Sequence, residues 1–214
     1  MKYELIELSK KSREYQRGLK YQIRALKDFK DVKKGDLGGF VTSEWNLSQE
    51  GNCWLYGNSK LFDESRVLDH ASLHDNAEMN GRSVARDFAQ MHDKARVFDH
   101  VKLNDSSEMR DNTAMADFAT LNGLAVMTSD AKMRGKASMH HETKMSGFTY
   151  MHDNAMMRDD SRMRGNAQMY GYTVLKGRAH ITDDAQMIGE AQLGGYDTLE
   201  DDKVLGEAKC KGDS

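Results

Sequence analysis

Residues 55–73 read Leu-Tyr-Gly-Asn-Ser-Lys-Leu-Phe-Asp-Glu-Ser-Arg-Val-Leu-Asp-His-Ala-Ser-Leu, with an apolar residue at every sixth position. The same spacing continues to Leu205 without an insertion or a deletion. Self-similarity at a short fixed period is typical of repeat proteins, in which stacked units bury a common core. An amphipathic helix would place apolar residues three and four apart, so this period excludes a helical repeat.

Two more positions of the hexad are restricted. The residue two before the apolar position is Ala, Ser or Thr in 22 of 25 hexads, as at Ala71 and Ala77. The residue two after it is Gly or Asp, as at Gly57 and Asp75, except at Ser129 and His141. Gly and Asp tolerate a positive φ and form tight turns. Strand alternation points the apolar and the small residue to the same side. Each hexad is therefore predicted to be a very short strand followed by a corner.

Three hexads would close a triangular coil of 18 residues, with strands of successive coils paired in parallel. The sequence thus predicts an all-β, single-stranded parallel β-helix of about 8–9 coils, on the order of 40 Å long. We expect residues 1–54 to form an N-terminal cap and leading segment, 55–205 the β-helix, and 206–214 a C-terminal tail. Within the cap, residues 3–8 and 21–26 are predicted strands.

Composition excludes several classes of protein. The chain has 214 residues, a net charge of −3, no proline and only two cysteines, Cys53 and Cys210. These cysteines fall at opposite ends of the predicted β-helix, so we expect no bridge between them. Neither a signal peptide nor a long apolar run is present in the sequence. The prediction is a soluble cytoplasmic protein, of a bacterium or an infected host, that binds neither membranes nor nucleic acid.

Several units carry a family resemblance: Leu73-His-Asp-Asn-Ala-Glu-Met79, Met151-His-Asp-Asn-Ala-Met-Met157 and Met163-Arg-Gly-Asn-Ala-Gln-Met169. They resemble the hexapeptide-repeat β-helix proteins, best known from acyltransferases. They are more similar still to uncharacterised phage and bacterial proteins with repeats of the form Val-x-Gly-Asn-Ala-x-Val. The resemblance implies a left-handed coil, although the spacing also fits a right-handed triangular prism. It implies little about function, because function depends on sites and not on folds.

Two repeated residue types have a structural and a chemical interpretation. Half of the apolar positions are Met, including all eight from Met127 to Met169. Thioethers bind soft metals such as Cu(I), but the inward periodicity favours packing. The corner carboxylates, such as Asp75 and Asp93, stack 18 residues apart and could hold Ca²⁺. We interpret them as turn residues, and we predict no metal site and no cofactor.

Residues 18 apart should stack on neighbouring coils and form outward-facing ladders. Three ladders combine Arg, His, Tyr and Lys, which suit partner recognition. These candidate partner-binding residues are Tyr56, His74, His92 and Arg110 in the first ladder, Arg134, His152 and Tyr170 in the second, and His140, Arg158 and Lys176 in the third.

The sequence therefore predicts a non-enzymatic protein-interaction module, phage- or prophage-encoded according to the resemblance. Its rigid surface would bind, and thereby inhibit, a host protein such as a defence component. One alternative is an acyl-CoA-dependent acyltransferase of the hexapeptide-repeat type, although no loop interrupts residues 55–205 and we assign no catalytic residue. Another is a structural protein that assembles end to end. A homodimer or homotrimer is left open.

Overall fold

A computed structural model describes residues 1–206, and it is a parallel β-solenoid with an N-terminal cap. Residues 207–214, which include Cys210 and most of the predicted tail, lie outside the described residues. The cap contains strands β1 (Tyr3–Glu7), β2 (Tyr21–Ala25) and β3 (Leu37–Val41), the helix α1 (Arg13–Gln16) and a 3₁₀ turn at Glu44–Asn46. Both strands predicted for the cap are confirmed.

The repeat region forms two-residue strands, one in each hexad. In chain order they are β4 (Trp54–Leu55), β5 (Lys60–Leu61), β6 (Arg66–Val67), β7 (Ser72–Leu73), β8 (Glu78–Met79), β9 (Val84–Ala85), β10 (Gln90–Met91), β11 (Arg96–Val97), β12 (Lys102–Leu103), β13 (Glu108–Met109), β14 (Ala114–Met115), β15 (Thr120–Leu121), β16 (Val126–Met127), β17 (Lys132–Met133), β18 (Ser138–Met139), β19 (Lys144–Met145), β20 (Tyr150–Met151), β21 (Met156–Met157), β22 (Arg162–Met163), β23 (Gln168–Met169), β24 (Val174–Leu175), β25 (His180–Ile181), β26 (Gln186–Met187), β27 (Gln192–Leu193), β28 (Thr198–Leu199) and β29 (Val204–Leu205).

Every third strand belongs to the same sheet, so the solenoid has three faces. Face A is the nine-stranded sheet from β4 to β28, and face C is the eight-stranded sheet from β6 to β27. Face B has twelve strands, because the antiparallel cap strands β1, β2 and β3 precede β5 in the same sheet. Paired residues are 18 apart, as in Gln90 with Glu108 on face A. The predicted fold class and coil length are confirmed.

The cap closes the first coil of face B and packs closely on face A. Strand β3 pairs in parallel with β5, which places Val41 beside Leu61. A Cβ added to Gly38 would lie 2.7 Å from the Leu55 carbonyl oxygen, so this position requires glycine. The Lys2 ammonium is buried and donates to the Cys53 carbonyl oxygen at 3.0 Å. The buried Cys53 thiol lies 3.2 Å from the same ammonium.

The core consists of the inward-facing apolar and small residues. The eight Met side chains from Met127 to Met169 are fully buried, which confirms that they pack the interior. Several of the small positions are hydroxyl residues, and the hydroxyls of Ser107, Thr143 and Thr149 are buried without a hydrogen-bond partner. No helix within residues 1–206 is long and apolar enough to cross a membrane.

The Asp corner residues have the structural role that the sequence predicts. Asp75, Asp93 and Asp111 all have φ of 57° or 58°. Each of these three carboxylates accepts a hydrogen bond from the backbone N–H one coil further along, and the Ser129 N–H lies 2.7 Å from Asp111 Oδ2. These contacts connect successive coils at the corners. Within residues 1–206, no group of three or more His, Cys, Asp or Glu side chains is arranged to hold a metal ion.

Candidate functional site

The three predicted ladders form at three different edges of the solenoid. The first follows strands of face A, beginning at β4 and β7, and the second follows β17, β20 and β23 of face B. The third follows β18, β21 and β24 of face C. Stacking in register is observed, but the ladders do not converge on one site. A single partner on one face would therefore contact one of them.

The first ladder is a stack of aromatic rings. The rings of Tyr56 and His74 are 4.4 Å apart at 7°, and those of His74 and His92 are 4.4 Å apart at 12°. His74, His92 and Arg110 each also contact the strand residue two positions before them. His92 Nε2 lies 3.1 Å from Gln90 Oε1, and Arg110 donates to Glu108 Oε2 at 2.7 Å. Packing and hydrogen bonds thus fix these side chains before any partner binds.

Burial keeps the first ladder neutral at its centre. Desolvation, with the neighbouring His92 as a smaller cause, lowers the pKa of His74 to about 4. The Tyr56 hydroxyl donates to Asp31 Oδ1 at 2.6 Å. This bond lowers the pKa of Asp31, while burial and then Asp31 raise that of Tyr56. The His74 ring is therefore neutral at pH 7, and Arg110 is the cation at the far end of the ladder.

Face A has an aromatic anchor on its opposite edge. Phe88 is 57% exposed and stacks on His70 with ring centroids 4.9 Å apart. His70 and Phe88 lie in the turns that directly precede β7 and β10, whereas His74 and His92 directly follow these strands, so the two pairs flank the same coils of face A. We call this surface the aromatic platform, and its side chains are His70, Ser72, His74, Phe88, Gln90, His92, Glu108 and Arg110. The sequence analysis missed the combination, although the 18-residue register brings it together.

The second ladder contains a stacked pair and a His–carboxylate contact. The rings of His152 and Tyr170 are 4.9 Å apart at 4°. His152 Nδ1 lies 3.0 Å from Asp153 Oδ2. Arg134 occupies the coil before His152, and its backbone N–H donates to Met151. This edge combines an oriented imidazole with a neighbouring carboxylate, an arrangement used in general-base chemistry.

The third ladder extends further than the sequence analysis assigned it. Arg86 donates to Asn104 at 2.8 Å, and Asn104 donates to Asn122 at 2.6 Å. Asn122 in turn lies 3.2 Å from His140 Nδ1, and burial lowers the pKa of that imidazole. Arg158 and Lys176 continue the register beyond His140. The amide row was not predicted, although these residues share the 18-residue spacing.

Several exposed apolar side chains lie away from the platform. Trp45 in the cap is 82% exposed beside a shallow cavity of about 330 Å³ and was not identified from the sequence. The other exposed aromatic residues at solenoid corners are Phe118, Phe148, Tyr172 and Tyr196. Phe118 and Tyr172 lie at the same corner but three coils apart, and Phe148 and Tyr196 lie at the other two corners, so these residues do not form one continuous patch.

Comparison with known proteins gives one informative similarity. A 35-residue stretch is 54% identical to the uncharacterized acetyltransferase YdcK of Escherichia coli (strain K12). It covers 16% of this chain and 11% of that protein, so the similarity spans about a tenth of YdcK. No family model matches the chain. The short match and the solenoid together fit the resemblance to hexapeptide-repeat proteins.

Proposed function

We propose that the chain is a non-enzymatic protein-interaction module that binds its partner through the aromatic platform. The observation that carries this proposal is Phe88, an exposed apolar ring that is held in place by His70. Aromatic residues and Arg dominate the energetics of protein interfaces. Fixed side chains lose little entropy on binding, and the stacked ladder beside Phe88 is already ordered.

The chemistry of the platform limits the kind of partner. The imidazole of His74 at its centre is uncharged at pH 7, and Arg110 is paired with Glu108. A complementary surface would offer an apolar pocket for Phe88 and neutral hydrogen-bonding groups opposite His74. The resemblance to phage and bacterial repeat proteins directs the search to host proteins, including components of a defence system.

The test is quantitative capture of a partner by purified variants. We expect one protein to be retained stoichiometrically by the wild type and lost by Phe88→Ser and by the double variant His92→Glu/Arg110→Glu. A hot-spot loss of about 2 kcal/mol corresponds to roughly thirtyfold weaker binding.

The matched controls change similar residues on other edges. Tyr172→Ser removes an aromatic side chain that is 66% exposed, and Arg134→Glu reverses a charge on the edge of face B. Both controls should retain the partner. Equal retention by all variants would refute the platform as the binding surface.

An acyl-CoA-dependent acyltransferase is the second candidate, supported by the similarity to YdcK and by the His152–Asp153 contact. In this interpretation His152 would be the general base. The test is a calorimetric titration with acetyl-CoA, with mass measured by light scattering on the same sample. Saturable binding, with turnover lost in His152→Ala and retained in His180→Ala, would favour this candidate. Absence of heat at millimolar acetyl-CoA would reject it.

A further inference from the structure

The outward side chains at one end of face A form a row of cations. Lys144 pairs in register with Arg162, and Arg162 pairs with His180. Successive strands are about 4.8 Å apart, so these groups are immediate neighbours on the surface. Like charges directly opposite each other destabilise a sheet. A folded protein that keeps such a row bears a cost that a bound anion would remove.

Face B shows how the same solenoid balances charge elsewhere. There Lys60 pairs with Glu78 and Glu78 pairs with Arg96, so the signs alternate along the row. Lys60 Nζ lies 3.3 Å from Glu78 Oε1. Within residues 1–206, neither Lys144 nor Arg162 belongs to an ion pair. The cationic row on face A is thus an exception to the pattern of the fold.

A shallow cavity of about 300 Å³ lies beside this row. Its lining includes Lys144, Arg162 and Arg164, together with the hydroxyl residues Thr128 and Ser146. Two carboxylates, Glu142 and Asp160, precede the row at the corner, and neither lines the cavity; Asp160 is 3.4 Å from Arg178 Nε. The cavity therefore combines two guanidinium groups, an ammonium and two hydroxyls on one surface.

His180 is the next residue of the row after Arg162, and one of its ring nitrogens has no hydrogen-bond partner within residues 1–206. Its Nδ1 is inaccessible to solvent and has no hydrogen-bond partner among the described residues. Burial lowers the pKa of His180, and Arg164 and Arg162 lower it further. The imidazole is therefore neutral at pH 7 and does not add to the repulsion along the row.

We propose that this surface, the basic groove of Thr128, Lys144, Ser146, Arg162 and Arg164, binds a phosphate group, either as inorganic phosphate or as a phosphate monoester. Guanidinium groups bind phosphate through paired, charge-assisted hydrogen bonds, and an ammonium adds a third cation. The volume of the cavity leaves room for a small group attached to the phosphate. The strand of Lys144 lies two coils, or about 10 Å, beyond the Glu108 strand of the aromatic platform. The proposal does not depend on protein binding at that platform.

The experiment is calorimetric titration of the full chain with inorganic phosphate at pH 7 and constant ionic strength, set with sodium chloride. A second arm uses phosphoserine and distinguishes a monoester from the free ion. We expect saturable one-site binding in at least one arm. The double variant Arg162→Gln/Arg164→Gln should bind at least about tenfold more weakly, because it loses charge-assisted hydrogen bonds.

The matched control is Lys132→Gln/Arg134→Gln, which removes the same number of charges from face B and should bind phosphate as the wild type does. Circular dichroism and the melting temperature without phosphate establish that each variant is folded. As a second readout, phosphate should raise the melting temperature of the wild type and the control but not that of the Arg162/Arg164 variant. Equal affinity in both double variants, or no saturable binding in either arm, would overturn the proposal.

Discussion

Replacement of Asp111 by Ala, Gly and Asn separates the two contributions of a corner residue. Asp111 has φ of 58°, and its carboxylate accepts the Ser129 N–H at 2.7 Å. Ala in this conformation costs about 1–2 kcal/mol. Loss of the hydrogen bond costs about 0.5–1.5 kcal/mol. Asp111→Ala should therefore destabilise the protein by about 2 kcal/mol. Asp111→Gly loses only the bond and should cost about 1 kcal/mol.

Asp111→Asn keeps an acceptor oxygen and tolerates a positive φ, so it should cost less than either. The assay is urea unfolding followed by circular dichroism, with free energies compared only where the slopes agree. Equal losses of unfolding free energy in Asp111→Ala and Asp111→Gly would refute the proposed cost of a positive φ at this position. If Asp111→Asn loses as much stability as Asp111→Ala, and Ca²⁺ stabilises the wild type, the corner carboxylates would instead bind a cation.

Three further predictions concern buried polar groups. Thr149→Val removes a buried hydroxyl without a partner and should raise the free energy of unfolding by about 1 kcal/mol. The control Ser65→Ala removes a hydroxyl that donates a 2.6 Å hydrogen bond, so it should lower the free energy of unfolding. The pKa of His74 is about 4 in the folded protein, below its value in the unfolded chain, so protons bind the unfolded chain first as the pH falls from 6.5 to 4. The urea midpoint should therefore fall over this range, and it should fall less in His74→Gln. Lys2→Met leaves the Cys53 carbonyl without its donor and should lower the thermal midpoint, in contrast to a neutral Lys10→Met.

The fold was predictable because one local rule is repeated without interruption. Strand alternation buries the apolar and small residues, and Asp or Gly supplies each corner. The spacing therefore determines the coil length and the partners of every strand. The cap follows no repeat, and the pairing of β3 with β5 required the structure. The burial of Lys2 and its hydrogen bonds could not be predicted either, because its partners at Glu50 and Cys53 are distant in sequence.

The ladders were predictable only in part, for a geometric reason. The 18-residue period identified which rings stack along the axis, and the stacks of His74 on Tyr56 and of His152 on Tyr170 are observed. Their arrangement across a face depends on the residues two positions away in each coil. Phe88 and His92 lie on either side of strand β10 in the same coil, so they occupy opposite edges of face A. Hydrogen bonds such as Asn104 to Asn122 depend on side-chain conformation, which periodicity does not determine.

Site-specific photo-crosslinking tests the central claim, that the platform of face A contacts a protein, most directly. A photoreactive phenylalanine derivative replaces Phe88 in one sample and, as a control, Tyr172 in another, and both proteins are irradiated in lysate of the candidate host. The account predicts one discrete adduct from position 88 and none from position 172, and the adduct should be lost when His92→Glu/Arg110→Glu is added. The same adduct from both positions, or none from position 88, would contradict it.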